Sequence, residues 1–339
     1  MDVFELTRAL VNVESVTLNE EAVGLALCEF LAPLVSAYGG ELERLEVEPR
    51  RFNVFAQWGD QPTVTLSTHM DTVPPFFASR EDETHIWGRG ACDTKGIIAA
   101  MIKAVEALLA AGDRNFGLLF VVGEERNSAG AYRAAETPRG SRYLINGEPT
   151  ENKLALASKG VLRYEVAAFG KMAHSAYPEL GDSAINKLLD ALGAIRKIPL
   201  PVDPLLGPST LNIGTLSGGH APNVIADEAR ADIMFRLVGD STELKAALAK
   251  AAAGCVELRE VIEIPAVRLG ALDGLQTTVV AFTTDIPAFN GRWGQPFLIG
   301  PGSIHVAHTL EERVPKKELL EAVQIYQRMV KELCKRESK

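Results

Sequence analysis

The chain has 339 residues, 47% hydrophobic and 23% charged, enough to bury a large core and long for one domain, so two domains are expected. Its formal charge is −9 and its lysines and arginines are scattered, which removes the electrostatic footprint of a nucleic-acid binder. The opening MDVFELTRALVNVES lacks a basic head before an unbroken apolar stretch, no apolar run approaches the roughly 20 residues that span a bilayer, and Cys28, Cys92, Cys255 and Cys334 form no CxxC pair; four free thiols in a reduced cytoplasm, no membrane partner, and any metal held by His, Asp and Glu are therefore expected.

From Asp2 to about Gly39 apolar residues recur at helical spacing, through Leu6, Leu10 and Val13 and then Val23, Leu27, Phe30, Leu31 and Leu34. Apolar runs follow at Thr63 to Thr68, Leu118 to Val122 and Tyr143 to Ile145, with a long helix from about Gly96 to Ala111 between the first two. This alternation predicts an α/β fold with a mostly parallel sheet flanked by helices. Between about Gly160 and Pro265 the pattern changes to strand (Val161 to Phe169), helix (Ser183 to Ile198), strand (Thr210 to Leu216), strand (Ala226 to Leu237), helix (Ser241 to Ala253) and strand (Val256 to Ile264). That βαββαβ order is the split pattern of a small ferredoxin-like, two-layer domain. Short buried strands resume at Thr278 to Thr283 and Pro296 to Ile299, and Lys316 to Cys334 closes the chain as a helix. The expected architecture is a discontinuous catalytic domain, 1–159 and 266–339, with a second domain, 160–265, inserted into it.

The ionisable residues gather at the strand ends, where ligands bind in open α/β sheets. His69 and Asp71 follow VTLST, Asp93 follows WGRGAC, Glu124 and Glu125 follow LLFVVG, and Glu148 follows YLING. Singly each has a plain explanation as a surface pair or a solvated face. Yet two adjacent acids directly after a buried strand are costly unless something pairs with them, and a divalent metal would. A late His308, in GPGSIHVAHTLEERV, completes a set of metal-competent groups.

The stretches STHMDTVP, WGRGACDTKG, VVGEERNSAGA, NGEPTENKLALASKG, KMAHSAYPELG, GGHAPNVIADEARADIMFR and GPGSIHVAHTLEERV, spread over about residues 65 to 315, resemble a known family. It comprises the dinuclear-zinc deacylases and exopeptidases that include aminoacylase, acetylornithine deacetylase, succinyl-diaminopimelate desuccinylase and glutamate carboxypeptidase. The resemblance implies two Zn2+ per subunit, with Co2+ a possible substitute: His69 and Glu148 on one ion, Glu125 and His308 on the other, and Asp93 bridging them. Imidazole and carboxylate suit zinc. Asp71 is expected to orient His69 and fix its tautomer without being a ligand. Glu124, beside a ligand but not itself one, is the expected general base, moving a proton from the attacking water to the departing amine.

In the inserted lid and dimerisation domain, the resemblance makes His174 an oxyanion donor that reaches the site of the other subunit in a homodimer. Asn223 and Arg236 would grip the substrate carboxylate, for which a guanidinium's planar fork is suited. Gly302 would offer a backbone N–H to the same group, since glycine permits close approach. Thr284 and Asp285, in FTTDIPAF, resemble a family stretch near the site and are candidates for support or substrate contact. His305, three residues before His308, is open to three readings: a supporting group, a partner for substrate, or a plain surface residue. His220 and His85 are read as exposed loop residues, and Cys92 as a small buried thiol.

Glu148 in NGEPT, where aminopeptidase-like relatives carry Asp, leans towards deacylases and carboxypeptidase-like members. GEPTENKLALASKG and GPGSIHVAHT look most like acetylornithine deacetylase. The leading expectation is a cytoplasmic deacylase that hydrolyses the amide of a small N-acyl amino acid. Alternatives are a dipeptidase or carboxypeptidase of the same family, and a metal-binding dimeric protein that has lost catalysis.

Overall fold

The computed structural model describes residues 1–336 and divides into two compact units. Unit 1 comprises Met1–Leu156, Leu269–Thr278 and Thr284–Lys339; unit 2 comprises Ala157–Arg268 and Val279–Thr283.

In chain order, unit 1 opens with α1 (Val3–Val11), which starts where Asp2 and Glu5 form a capping box: the Asp2 carboxylate accepts the Phe4 and Glu5 N–H groups, and Glu5 accepts the Asp2 N–H. The helical periodicity read over residues 2–39 breaks at 12–20, and α2 (Glu21–Tyr38) follows. By length and composition α2 is apolar enough to cross a bilayer, but Val23, Leu27 and Leu31 are buried in the core that α1 also joins. Next come β1 (Glu41–Glu48) and β2 (Arg51–Trp58), an antiparallel hairpin absent from the sequence reading. Then follow β3 (Val64–His69), α3 (Gly96–Ala110), β4 (Phe116–Val121), α4 (Ala129–Glu136), β5 (Tyr143–Asn146) and β6 (Leu154–Ser158).

Unit 2 holds β7 (Gly160–Phe169), α5 (Ala184–Ile195), β8 (Thr210–Gly218), β9 (Glu228–Leu237), α6 (Thr242–Ala252) and β10 (Glu257–Ile264). The chain returns to unit 1 for β11 (Gln295–Leu298) and α7 (Lys316–Arg336).

The sheet of unit 1 runs β1-β2-β4-β3-β5-β11-β6. Its centre, β4-β3-β5-β11, is parallel and its flanks are antiparallel, so the whole is mixed. Both β3 and β4 are buried along their full length, which explains their unbroken apolar runs. α3 is apolar nearly all round because it is enclosed by the sheet, α1 and α7. From β3 the chain crosses to β4 on one side and then to β5 on the other, so the carboxyl end of β3 lies at a topological switch point. The register sets His69 opposite Val121 and Ser67 opposite Asn146, which brings the ends of β3, β4 and β5 to one edge.

Unit 2 is an antiparallel sheet ordered β8-β9-β7-β10, the ferredoxin-like arrangement, with α5 and α6 on one face. Leu162, Val166, Leu188, Leu192, Ile233, Phe235 and Leu248 form its core. In-out alternation along β9, and along β7 from Leu162 onward, leaves Arg163, Asp232 and Arg236 on the opposite face.

Candidate metal centre

The site of unit 1 is built on the junctions that follow β3, β4 and β5. His69 ends β3, and two residues later Asp71 is fully buried. One Asp71 oxygen accepts the Glu124 N–H at 3.1 Å; the other accepts the Thr17 hydroxyl at 2.8 Å and the Glu125 N–H at 3.3 Å. Asp71 thus fastens the turn after β4 to the end of β3. Burial would raise its pKa, but His69, the Thr17 hydroxyl and the Glu124 N–H outweigh it and keep the carboxylate ionised. The nearest acceptor for His69 Nδ1 is the main-chain carbonyl of Asp71, at 3.0 Å, with the Asp71 carboxylate at 3.5 Å. A proton on Nδ1 leaves the Nε2 lone pair facing Asp93, whose Oδ1 is 3.1 Å away.

The turn carrying Glu124 and Glu125 hangs from Gly123, whose φ of 82° favours glycine and whose carbonyl accepts the N–H groups of Arg126, Asn127 and Ser128. Glu125 lies 3.0 Å from His308 Nε2, and the same nitrogen is 3.3 Å from Asp93 Oδ2. Glu148, two residues beyond β5, is buried, and its Oε1 is unpartnered among the described residues. Two groups therefore form: His69, Asp93 and Glu148, and Asp93, Glu125 and His308. Within each, the donor atoms lie within 4.8 Å of one another, and Asp93 is common to both. Glu124 belongs to neither.

Electrostatics favour a cation here. Burial pushes the Glu124 carboxyl well up against the pull of His69, and Glu148, Asp285 and Glu125 push it further. Burial likewise raises Glu148 and Glu125. Asp93 and Glu125 hold His308 up to about 10, and Asp71 and Asp93 hold His69 high despite its burial. So many buried carboxyls can be neutralised only by protons or by cations, and Glu148 brings one carboxylate oxygen within 4.8 Å of the His69 and Asp93 donors. The nitrogen and oxygen donors fit a divalent ion of the zinc type.

Asp285, a candidate for support or substrate contact in the sequence, is 1% exposed, and burial pushes it up to about 7 against the pull of the Ser128 hydroxyl. Glu312 and Arg89, a fully buried pair beside Asp93, were not singled out at all; in HTLEERV the acid reads as part of a solvated run. Gly302, expected to give its N–H to substrate, donates it instead to Glu318 at 2.7 Å, so that donor is already engaged. Burial pushes the Cys92 thiol well up and keeps it protonated. His305 is exposed, His220 pairs with Asp227, and His85 bonds to Thr84.

The remaining predicted residues belong to unit 2. His174 lies on a short strand, Ala173–His174, paired with Val224–Ile225, and the Ser175 N–H bonds the Asn223 carbonyl, so His174 and Asn223 are neighbours. His174 is exposed; its Nδ1 accepts the Ala176 N–H, which leaves Nε2 as the available donor. Arg236 is half-buried on β9, and its side chain has no ion pair or hydrogen bond among the described residues; burial lowers its pKa.

Among protein-family models, the one described as peptidase family M20/M25/M40 matches residues 65–332. A peptidase M20 domain-containing protein of Schizosaccharomyces pombe is 38% identical over 345 residues, covering 97% of this chain and 84% of that protein. A probable carboxypeptidase of Aspergillus fumigatus is 36% identical over 374 residues, covering 95% and 84%. The crystal structure of an aminopeptidase PepT from Bacillus cereus shares the fold, with a TM-score of 0.82 at 20% identity over 98% of both chains.

Proposed function

This chain belongs to peptidase family M20/M25/M40 and is a hydrolase of amide bonds, and from that premise we propose that it releases an amino acid with a free carboxylate from the acyl group on its nitrogen. The observation that carries this reading is Glu124, held by its N–H to Asp71 beside two donor groups to which it does not belong.

His69, Asp93 and Glu148 would hold one divalent ion and Asp93, Glu125 and His308 a second, with zinc suited to both sets and cobalt able to replace it. When bound, such ions supply electrophilic charge to the amide and its attacking water. Glu124 takes a proton from that water at a carboxylate oxygen and delivers it to the departing nitrogen. Arg236, a half-buried cation lacking an acid, and Asn223 hold the substrate carboxylate. His174 donates from Nε2 to the developing oxyanion, and its exposed position is consistent with action on the partner copy of a homodimer.

The acyl group is read as a simple one, as in an N-acetyl amino acid. A second reading, in which it is the preceding residue of a peptide, is favoured by the fungal relative named a probable carboxypeptidase. Amine release from N-acetyl amino acids, dipeptides and their C-terminal amides, with zinc or cobalt supplied, tests both. Free acids should react and amides fail. Faster turnover of the N-acetyl series supports deacylation, and faster turnover of dipeptides supports the peptidase. Equal cleavage of amides and acids would overturn the proposed grip on the carboxylate.

A further inference from the structure

The two donor groups are not supported alike. His69 ends β3, and Glu148 follows β5, its hydrogen-bonded neighbour in the centre of the sheet. His308 lacks such support: its φ is 62°, half its side chain is exposed, and it sits in a loop. Four residues on, Glu312 is fully buried and reaches the stretch that carries Asp93, the residue common to both groups. Its Oε1 accepts the Gly90 N–H at 2.8 Å and the Asp93 N–H at 3.3 Å, while its Oε2 receives Arg89 Nη1 at 2.5 Å. Arg89, equally buried, gives Nε to the Pro75 carbonyl at 3.2 Å and lies 5.1 Å over the Phe77 ring; the Gly88 N–H bonds the Glu312 carbonyl. Glu312 belongs to neither donor group. It ties the chain bearing His308 to the chain bearing Asp93.

We propose that Glu312, through its pair with Arg89, is a positioning residue that sets the occupancy of the second metal position, formed by Asp93, Glu125 and His308. This rests on the two-ion reading above. The first position draws His69 and Glu148 from the sheet and keeps two anchored donors without Glu312. The second depends on His308 and on the orientation of Asp93, both of which Glu312 holds. In Glu312→Gln the amide must turn its oxygen to Arg89, which sets its NH2 against the Gly90 and Asp93 N–H groups, and this donor–donor conflict releases the loop. In Glu312→Asp the charge remains, but the shorter side chain cannot reach Arg89 and both N–H groups together. Supporting partners of this kind are worth about 10–100-fold in metal affinity.

The test is to dialyse full-length wild type, E312Q and E312D against zinc buffers of graded free concentration and count bound ions by mass spectrometry. Thermal unfolding and near-ultraviolet circular dichroism are followed alongside. Wild type should bind two ions, and both variants should bind the second about 10–100-fold more weakly, while the first, which loses support only at Asp93, weakens by less. Leu27→Ala, a core truncation in α2, should lower thermal stability with both affinities intact, which separates positioning from general destabilisation. Should a folded E312Q or E312D retain the second ion at wild-type affinity, or lose both ions alike, the proposal is wrong while the two-ion reading stands. A single ion in wild type would sink the two-ion reading and this proposal with it.

Discussion

Arg236→Met separates binding from stability. Along β9, Ile233, Phe235 and Leu237 face the helices, while Asp232 and Arg236 face away. Asp232 is already committed to Arg163 at 2.7 Å, so Arg236 stays half-buried without a counter-charge, and burial depresses its pKa. Such a cation is held at a cost unless a ligand supplies the anion. Two charge-assisted hydrogen bonds to a carboxylate, at the lower end of about 1.5 kcal/mol each, amount to about 3 kcal/mol, or about two orders of magnitude in kcat/KM. Methionine retains the apolar stem and removes the unpaired charge, so Tm should hold or rise by about 2–4 °C. Arg236→Lys keeps the charge without the planar fork and should fall between the two. Steady-state kinetics on the preferred free-acid substrate and differential scanning calorimetry would check this. A drop in Tm of more than about 5 °C, or an unchanged kcat/KM, would refute the reasoning, because Arg236 would then be a structural residue.

Glu124→Gln keeps the main-chain N–H bonded to Asp71 and lies outside both donor groups, so ion content should stay near wild type while turnover falls at least about 10²–10⁴-fold. If His174 serves the partner copy, refolding inactive His174→Ala and Glu124→Gln chains together should restore measurable activity, since each hybrid dimer retains one complete site; persistent inactivity despite hybrid formation would count against it. Chelated protein should lose stability between about pH 5 and 8. Asp285 and Glu312 are raised to about 7, so the folded state binds more protons than the unfolded state above about pH 4–4.5, and their contribution disappears as pH rises through about 7. His69 and His308, held high, act in the same direction above about 6.5. Zinc should restore stability and flatten this slope, as calorimetry across pH would record; a chelated protein that grows more stable with pH would contradict the assignment of those groups.

The catalytic unit was legible because its signals are local. Runs such as VTLST and LLFVVG end abruptly in acids or histidine, and strand ends are where a sheet presents ligands. The inserted unit was legible from its periodicity, since a strand with one covered face writes alternation into the chain. The hairpin β1–β2 escaped notice: β1 is largely exposed and carries Glu41, Glu43, Glu46 and Glu48, so its apolar signal is weak. α2 is apolar over most of its length, yet Val23, Leu27 and Leu31 decide which of its faces meets the core, and composition does not show that.

By itself, then, the sequence determined the alternation of elements and the chemical types of the donors, because periodicity and strand-end acids are properties of neighbouring residues. Only the tertiary structure decided which of those groups meet. Asp93 is shared because strands far apart in sequence end at one edge, and Arg89 finds Glu312 across 223 residues. The Glu148 oxygen that is unpartnered among the described residues, the burial of Asp285, and the engagement of the Gly302 N–H by Glu318 depend in the same way on what each group faces. Burial and pairing of charge arise from contacts between distant segments, and no local pattern encodes them.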